Sequence, residues 1–129
     1  MADNTCCIFL VDDNPVNLKI GRTILQDKYT VLTIPSGEKL MLALGKTKPD
    51  LILLDVEMPG MNGYDVIKAL KANPETTEIP VIFLTGKTDS ENERIGRSLG
   101  AADYLIKPFS PPLLHEKIAL HLPWEQRLP

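Results

Sequence analysis

Apolar and β-branched residues gather in short runs along the chain, at residues 6–11, 51–54, 80–84 and 104–106, with a weaker run at 30–34. These runs have the length and composition of strands. Between them apolar positions recur at helical spacing: Val16, Ile20 and Ile24 in a first helix, Val66, Ile67 and Leu70 in a third, and Leu114, Ile118 and Leu122 in a fifth. Each helix is expected to bury one such stripe. Start signals support the same division. Asn14 precedes Pro15, Ser36 precedes Gly37 and Glu38, and Ser110 precedes Pro111, the residue types that cap and open helices. Thr88-Asp89-Ser90-Glu91 has the form of a capping box for a fourth helix, which offers only Ile95 and Leu99 as large apolar anchors. That helix should be loosely held.

Strand and helix thus alternate along the chain. Parallel strands need long crossovers, and right-handed crossovers place the helices on both faces of the sheet. The fold class is therefore α/β, a doubly wound domain of three layers. At 129 residues and 43% hydrophobic composition the chain suits one core. Residues 1–122 are assigned to that domain, and residues 123–129, PWEQRLP, read as a C-terminal tail or the start of a linker.

Charge and leader composition narrow the setting. A formal net charge of -3 argues against a nucleic-acid or membrane surface, which would gather Lys and Arg. The apolar runs fall far short of the roughly 20 residues that span a bilayer. Residues 1–5, MADNT, lack the basic start of an export signal, so the expected location is the cytoplasm. Cys6 and Cys7 are adjacent in a strand and should point to opposite faces, poorly placed to bridge each other.

Chemistry is expected where the strands end, because ligands of open α/β sheets bind beyond their carboxyl edges. The first strand runs into Asp12-Asp13, the third into Asp55, the fourth into Thr85-Gly86 and the fifth into Lys107-Pro108. Each residue alone has an ordinary explanation as a cap, a strand end or a solvated charge. Together, three neighbouring carboxylates repel unless a cation or proton offsets them. Magnesium, or manganese, suits such oxygen ligands and commonly joins carboxylates to a phosphate. A carboxylate so placed can attack phosphorus while metal and lysine neutralise the transferring oxygens, which makes Asp55 the candidate nucleophile.

Four motifs in this order resemble the receiver domains of two-component response regulators: Val11-Asp12-Asp13-Asn14, the stretch from Asp55 through Met58-Pro59-Gly60 to Gly63, Leu84-Thr85-Gly86, and Ala101-Ala102-Asp103-Tyr104-Leu105-Ile106-Lys107-Pro108. The resemblance covers about residues 6–122. It implies a flavodoxin-like (βα)5 fold with a five-stranded parallel sheet of order 2-1-3-4-5. It also implies Asp55 as phosphoacceptor, Asp12, Asp13, Asp55 and the backbone carbonyl of Glu57 as metal ligands, and Lys107 as the partner of the phosphoryl group, aimed by a cis Lys107-Pro108 bond. Thr85 and Tyr104 take the positions of the family's switch pair. Glu57 and Lys87 should flank the mouth of the site and tune phosphoryl lifetime. Gly86 stands where a slightly larger residue is frequent, so access to the phosphoryl group should be generous.

The expected function is a phosphorylation-dependent signalling switch. It would take phosphate from a histidine kinase or phosphotransfer protein in a Mg²⁺-dependent reaction and catalyse only its own phosphorylation and dephosphorylation. Phosphorylation adds roughly 1.5 to 2 negative charges, and the face made by the fourth helix, fifth strand and fifth helix is expected to respond, toward an output domain, a downstream protein or a second copy of the chain. A true aspartyl-phosphate phosphatase would need a cap insertion, and none is visible. A flavodoxin-like cofactor module would need a phosphate-cradling loop where Asp12-Asp13-Asn14-Pro15 stands. A degenerate receiver would lack part of the Asp, Thr and Lys set. His115 and His121, six residues apart, do not stack on one helix face as a metal pair.

Overall fold

The computed structural model describes residues 6–86, 90–108 and 110–122, with the backbone alone for 90–92. Five strands alternate with five helices: β1 (Cys7–Val11), α1 (Pro15–Leu25), β2 (Thr30–Ile34), α2 (Gly37–Leu44), β3 (Leu51–Asp55), α3 (Gly63–Ala72), β4 (Val81–Thr85), α4 (Ser90–Ser98), β5 (Asp103–Ile106) and α5 (Pro111–His121). All strand pairs are parallel and the sheet order is β2-β1-β3-β4-β5. The expected fold class and order are those observed. The proposed tail, 123–129, and the Thr88-Asp89 start of the capping box lie outside the described residues.

The sheet separates two cores. On one side Phe9, Ile52, Leu54 and Phe83 meet Leu40 and Leu44 of α2 and Val66, Ile67 and Leu70 of α3. On the other, Ile8, Leu10, Leu53 and Leu84 meet Leu25 of α1 and Leu114 and Ile118 of α5. Alternate residues of each strand thus serve opposite cores, which is why β3 and β4 are buried throughout and read as unbroken apolar runs. Each large side chain so buried contributes about 1.5–3 kcal/mol relative to exposure. Cys6 packs with one core and Cys7 against the other, on opposite faces as expected.

The inner face of α1 differs from expectation. Val16 and Ile20 point outward, 62% and 46% exposed, and only Ile24 of that stripe is partly buried. The helix turns Leu18, Gly21 and Leu25 to the sheet instead. Gly21 explains the choice: a Cβ there would stand 2.6 Å from Leu10 Cδ2, so the missing side chain lets the helix settle close to β1. The faces expected of α3 and α5 are the buried ones, with Leu122 at the C-cap of α5.

Helix starts follow the sequence signals. Asn14 accepts a hydrogen bond from the Val16 N–H at 2.9 Å, and Ser36 from the Lys39 N–H at 3.1 Å. Asn62 and Asp65 form a reciprocal capping box at α3. Ser110 precedes α5 without a side-chain cap, and Pro111 begins the helix.

Candidate phosphorylation site

β1, β3, β4 and β5 end along one edge, and their register sets the site. Asp55 pairs with Leu84 and Thr85 with Ile106, so Asp55, the last residue of β3, and Lys107, just past β5, flank Thr85 of β4 from either side. The Lys107 N–H donates to the Thr85 carbonyl at 2.7 Å, fixing the backbone from which the lysine reaches back. The Lys107-Pro108 bond is cis, as the resemblance implies. Lys107 Nζ lies 2.9 Å from Asp12 Oδ2 and 3.1 Å from Asp55 Oδ1.

The acidic residues are unequal. Asp12 and Asp55 are buried, whereas Asp13 is exposed, yet carboxylate oxygens of all three lie within 4.8 Å of one another. Asp12 Oδ1 accepts from the Asn14 N–H at 3.0 Å. Its Oδ2 is buried and meets the Lys107 ammonium as an ion pair. Asp55 Oδ1 also accepts a long bond, 3.4 Å, from the Glu57 N–H. Burial, then the neighbouring Asp12 charge, push the Asp55 carboxyl up to about 6, against the opposing pull of Lys107 and the Glu57 N–H. Burial would lower the Lys107 ammonium, but contact with Asp12 and Asp55 outweighs it and holds the group above its ordinary range.

These groups border a cleft of about 290 Å³ that also takes in Asn17, Glu57 and Gly86. A Cβ at Gly86 would meet no atom within 4 Å, so the wall is open there. An adjoining hollow of about 530 Å³ runs from Glu57 and Met58 to Tyr64 and Thr85. Thr85 is buried between the two. Lys87 lies outside the described residues. Three converging carboxylates and an all-oxygen donor set fit a hard divalent cation.

Tyr104 is already turned inward, 8% exposed, with its ring centroid 6.2 Å from Phe83. Phe83 in turn meets Tyr64 edge-on at 5.6 Å. Burial, then neighbouring Tyr64, push the Tyr104 phenol up to about 12. Its hydroxyl forms no well-aligned hydrogen bond among the described residues.

Two contributors escaped the sequence reading. Gly63 begins α3 directly against Asp55: a Cβ there would come 2.5 Å from the Asp55 carbonyl oxygen and 2.9 Å from Val56 Cα. In the sequence Gly63 stands only as the end of a motif, and nothing there marks this close approach. Asp103 is the second. Its carboxylate takes Lys117 and His121 from α5, each at 2.8 Å, and Arg97 from α4 at 3.3 Å. Burial alone would raise its carboxyl, but hydrogen bonds from Lys117, His121 and the Tyr104 N–H draw it down to about 2. The two histidines serve apart: His121 joins this cluster, and His115 stacks on Tyr29 with centroids 6.3 Å apart.

The response regulator receiver domain family matches residues 8–119, and the chain belongs to that family. It is a phosphorylation-dependent signalling domain of two-component systems, a class that works with histidine kinases and output domains. Over 117 residues it is 45% identical to a probable cyclic di-GMP phosphodiesterase of Vibrio cholerae, matching 91% of this chain and 26% of that protein. The chain thus spans about a quarter of that relative's length. The chemotaxis protein CheY4 of Vibrio cholerae superposes with a TM-score of 0.87 at 30% identity, covering 92% of this chain and 99% of that one. The receiver domain of the sensor histidine kinase PA1611 of Pseudomonas aeruginosa, solved with magnesium in its active-site cleft, superposes with a TM-score of 0.83 at 27% identity, covering 91% and 97%. No helix among the described residues is long and apolar enough to cross a membrane.

Proposed function

We propose that Asp55 is the phosphoacceptor of this receiver and that residues 1–122 form the unit that carries the switch. The observation behind this reading is the convergence of Asp12, Asp13 and Asp55 within 4.8 Å, with the Lys107 ammonium reaching Asp12 and Asp55. Asp55 Oδ1 already takes Lys107 and the Glu57 N–H, so Oδ2, which has no hydrogen bond among the described residues, is the attacking oxygen. A P–O bond forms to Oδ2 as the P–N bond of a phosphohistidine breaks, and the departing imidazole takes a proton from solvent. Mg²⁺, or Mn²⁺, would be held by Asp12, Asp13, Asp55 and the Glu57 carbonyl and would supply positive charge to the phosphoryl oxygens. Lys107 swings from carboxylate to phosphoryl, and the Thr85 hydroxyl donates to it. Water later attacks phosphorus, returning Asp55 and inorganic phosphate. The domain thus catalyses only its own modification, and Glu57 with Lys87 sets how long it lasts.

The phosphodonor is a histidine kinase or a phosphotransfer protein in the cytoplasm. Val16 and Ile20 on α1 and Leu113 on α5 are exposed beside the strand ends that carry the site, and offer it an apolar landing. The signal leaves by α4, β5 and α5. Thr85, drawn to the phosphoryl group, secures Tyr104 inward, and α4 shifts against β5 to favour an output domain, a downstream protein or a homodimer. Intact mass after incubation with acetyl phosphate tests this reading. One phosphoryl group should be gained with Mg²⁺, and none with EDTA or in Asp55→Asn. Labelling that ignores Mg²⁺ or survives Asp55→Asn contradicts it.

A further inference from the structure

The side of α2 away from the core carries a surface the fold does not require. Gly37, Leu40 and Leu44 face inward, which leaves Leu42 71% exposed. Facing it on β2, the edge strand, Leu32 is 43% exposed. With Ala43 the two leucines line a groove of about 400 Å³ whose remaining walls include Lys39 and Lys46. Single exposed leucines are ordinary, but two converging on one groove mark a contact surface.

Charge defines the occupant. Residues 39, 42, 43 and 46 stand at i, i+3, i+4 and i+7 and so share one side of the helix. Lys46 follows the last turn, with its N–H bonded to the Ala43 carbonyl at 3.0 Å. The order along this side is ammonium, apolar, apolar, ammonium. Lys39 and Lys46, like Lys19, Lys28, Lys68 and Lys71, meet no carboxylate among the described residues, so both ammonium groups bordering the groove are available to a partner. A two-fold pairing of α2 with itself would set Lys39 of one copy against Lys46 of the other, which disfavours a second copy. The chain continues from α5, which packs on the opposite face of the sheet.

We propose that this groove docks an acidic amphipathic helix of a partner protein. Two apolar side chains of that helix seat between Leu32 and Leu42, and carboxylates about seven residues apart, roughly 10 Å along its axis, pair with Lys39 and Lys46. The surface lies apart from the phosphorylation cleft and adds a second point of recognition to the receiver.

The test places photoreactive benzoylphenylalanine at position 42 of the full chain in its host cells, irradiates, and maps the trapped segment by mass spectrometry. The expected adduct is a helical protein segment with Asp or Glu on both sides of an apolar pair. The Lys39→Glu, Lys46→Glu double variant should cut its yield about tenfold, since like charges then meet at both ends. Lys39→Arg, Lys46→Arg should retain it, and Lys in place of the partner's two acids should restore it to the reversed receiver. Labelling by acetyl phosphate checks that each variant is folded. The proposal is overturned by an adduct with lipid, with a second copy or with a segment lacking the acidic bracket. A yield no greater than from the same probe at Lys68 of α3, or one indifferent to charge reversal, overturns it equally.

Discussion

Lys107 stands between two buried carboxylates, and its removal leaves them facing each other. Lys107→Ala should cost about 2–3 kcal/mol at pH 7 without divalent metal, measured by urea unfolding, and should abolish labelling of Asp55. The pH dependence follows from Asp55. An unfolded aspartate titrates near 4, whereas Asp55 in the fold keeps its proton to about 6. The folded state binds more protons across that interval, so metal-free stability falls as pH rises from about 4 through about 6. Thermal scans in EDTA should show this decline in the wild type and lose it in Asp55→Asn; a wild-type profile with no decline would count against the buried carboxylate pair. Gly63→Ala is expected to destabilise by about 1–3 kcal/mol, because its methyl meets backbone rather than a yielding side chain.

At the level of elements, α4 differs from its neighbours. α3 buries Val66, Ile67 and Leu70, while among the described residues of α4 only Gly96 is fully buried, Glu93 and Ile95 are half-buried, and Leu99, just past the helix, is half-buried too. A Cβ on Gly96 would stand 2.9 Å from the Phe83 ring and 3.3 Å from Tyr104, so the helix rests on the aromatic pair through the absence of a side chain. Asp103 supplies the other hold, tying β5 to Arg97 of α4 and to Lys117 and His121 of α5. Asp103→Asn should destabilise by about 1–3 kcal/mol and speed amide exchange in α4 more than in α3. Its carboxyl lies below the ordinary aspartate value, so this contribution is complete above about pH 4 and is lost as pH falls toward 2. The strands were legible because β3 and β4 are buried on both sides and carry unbroken apolar runs. The face of α1 was not, because Val16, Ile20 and Ile24 keep helical spacing as well as Leu18, Gly21 and Leu25 do, and only the fit of Gly21 over Leu10 decides between them. Asp12, Asp55, Thr85 and Lys107 could be read from their places at strand ends, since parallel order alone brings those ends together. The Asp103 cluster could not, because it joins residues 6, 14 and 18 positions apart on three elements.

For the molecule as a whole, the proposed function links phosphorylation, metal binding and stability through one site. A cation that binds the folded carboxylates and not the unfolded chain stabilises by about 2.7 kcal/mol at a hundredfold excess over its Kd. Mg²⁺ should therefore raise the melting temperature of the wild type and have little effect on an Asp12→Ala, Asp13→Ala variant, as read by differential scanning calorimetry. The central claim, that Asp55 carries the phosphoryl group, is tested most directly by trapping the acyl phosphate. After brief phosphorylation with Mg²⁺ and acetyl phosphate, borohydride reduces an aspartyl phosphate to homoserine, and peptide mass spectrometry reads its position. Homoserine at position 55 alone is the expected result; homoserine at another aspartate, or phosphate found only on a hydroxyl or histidine, would contradict the account.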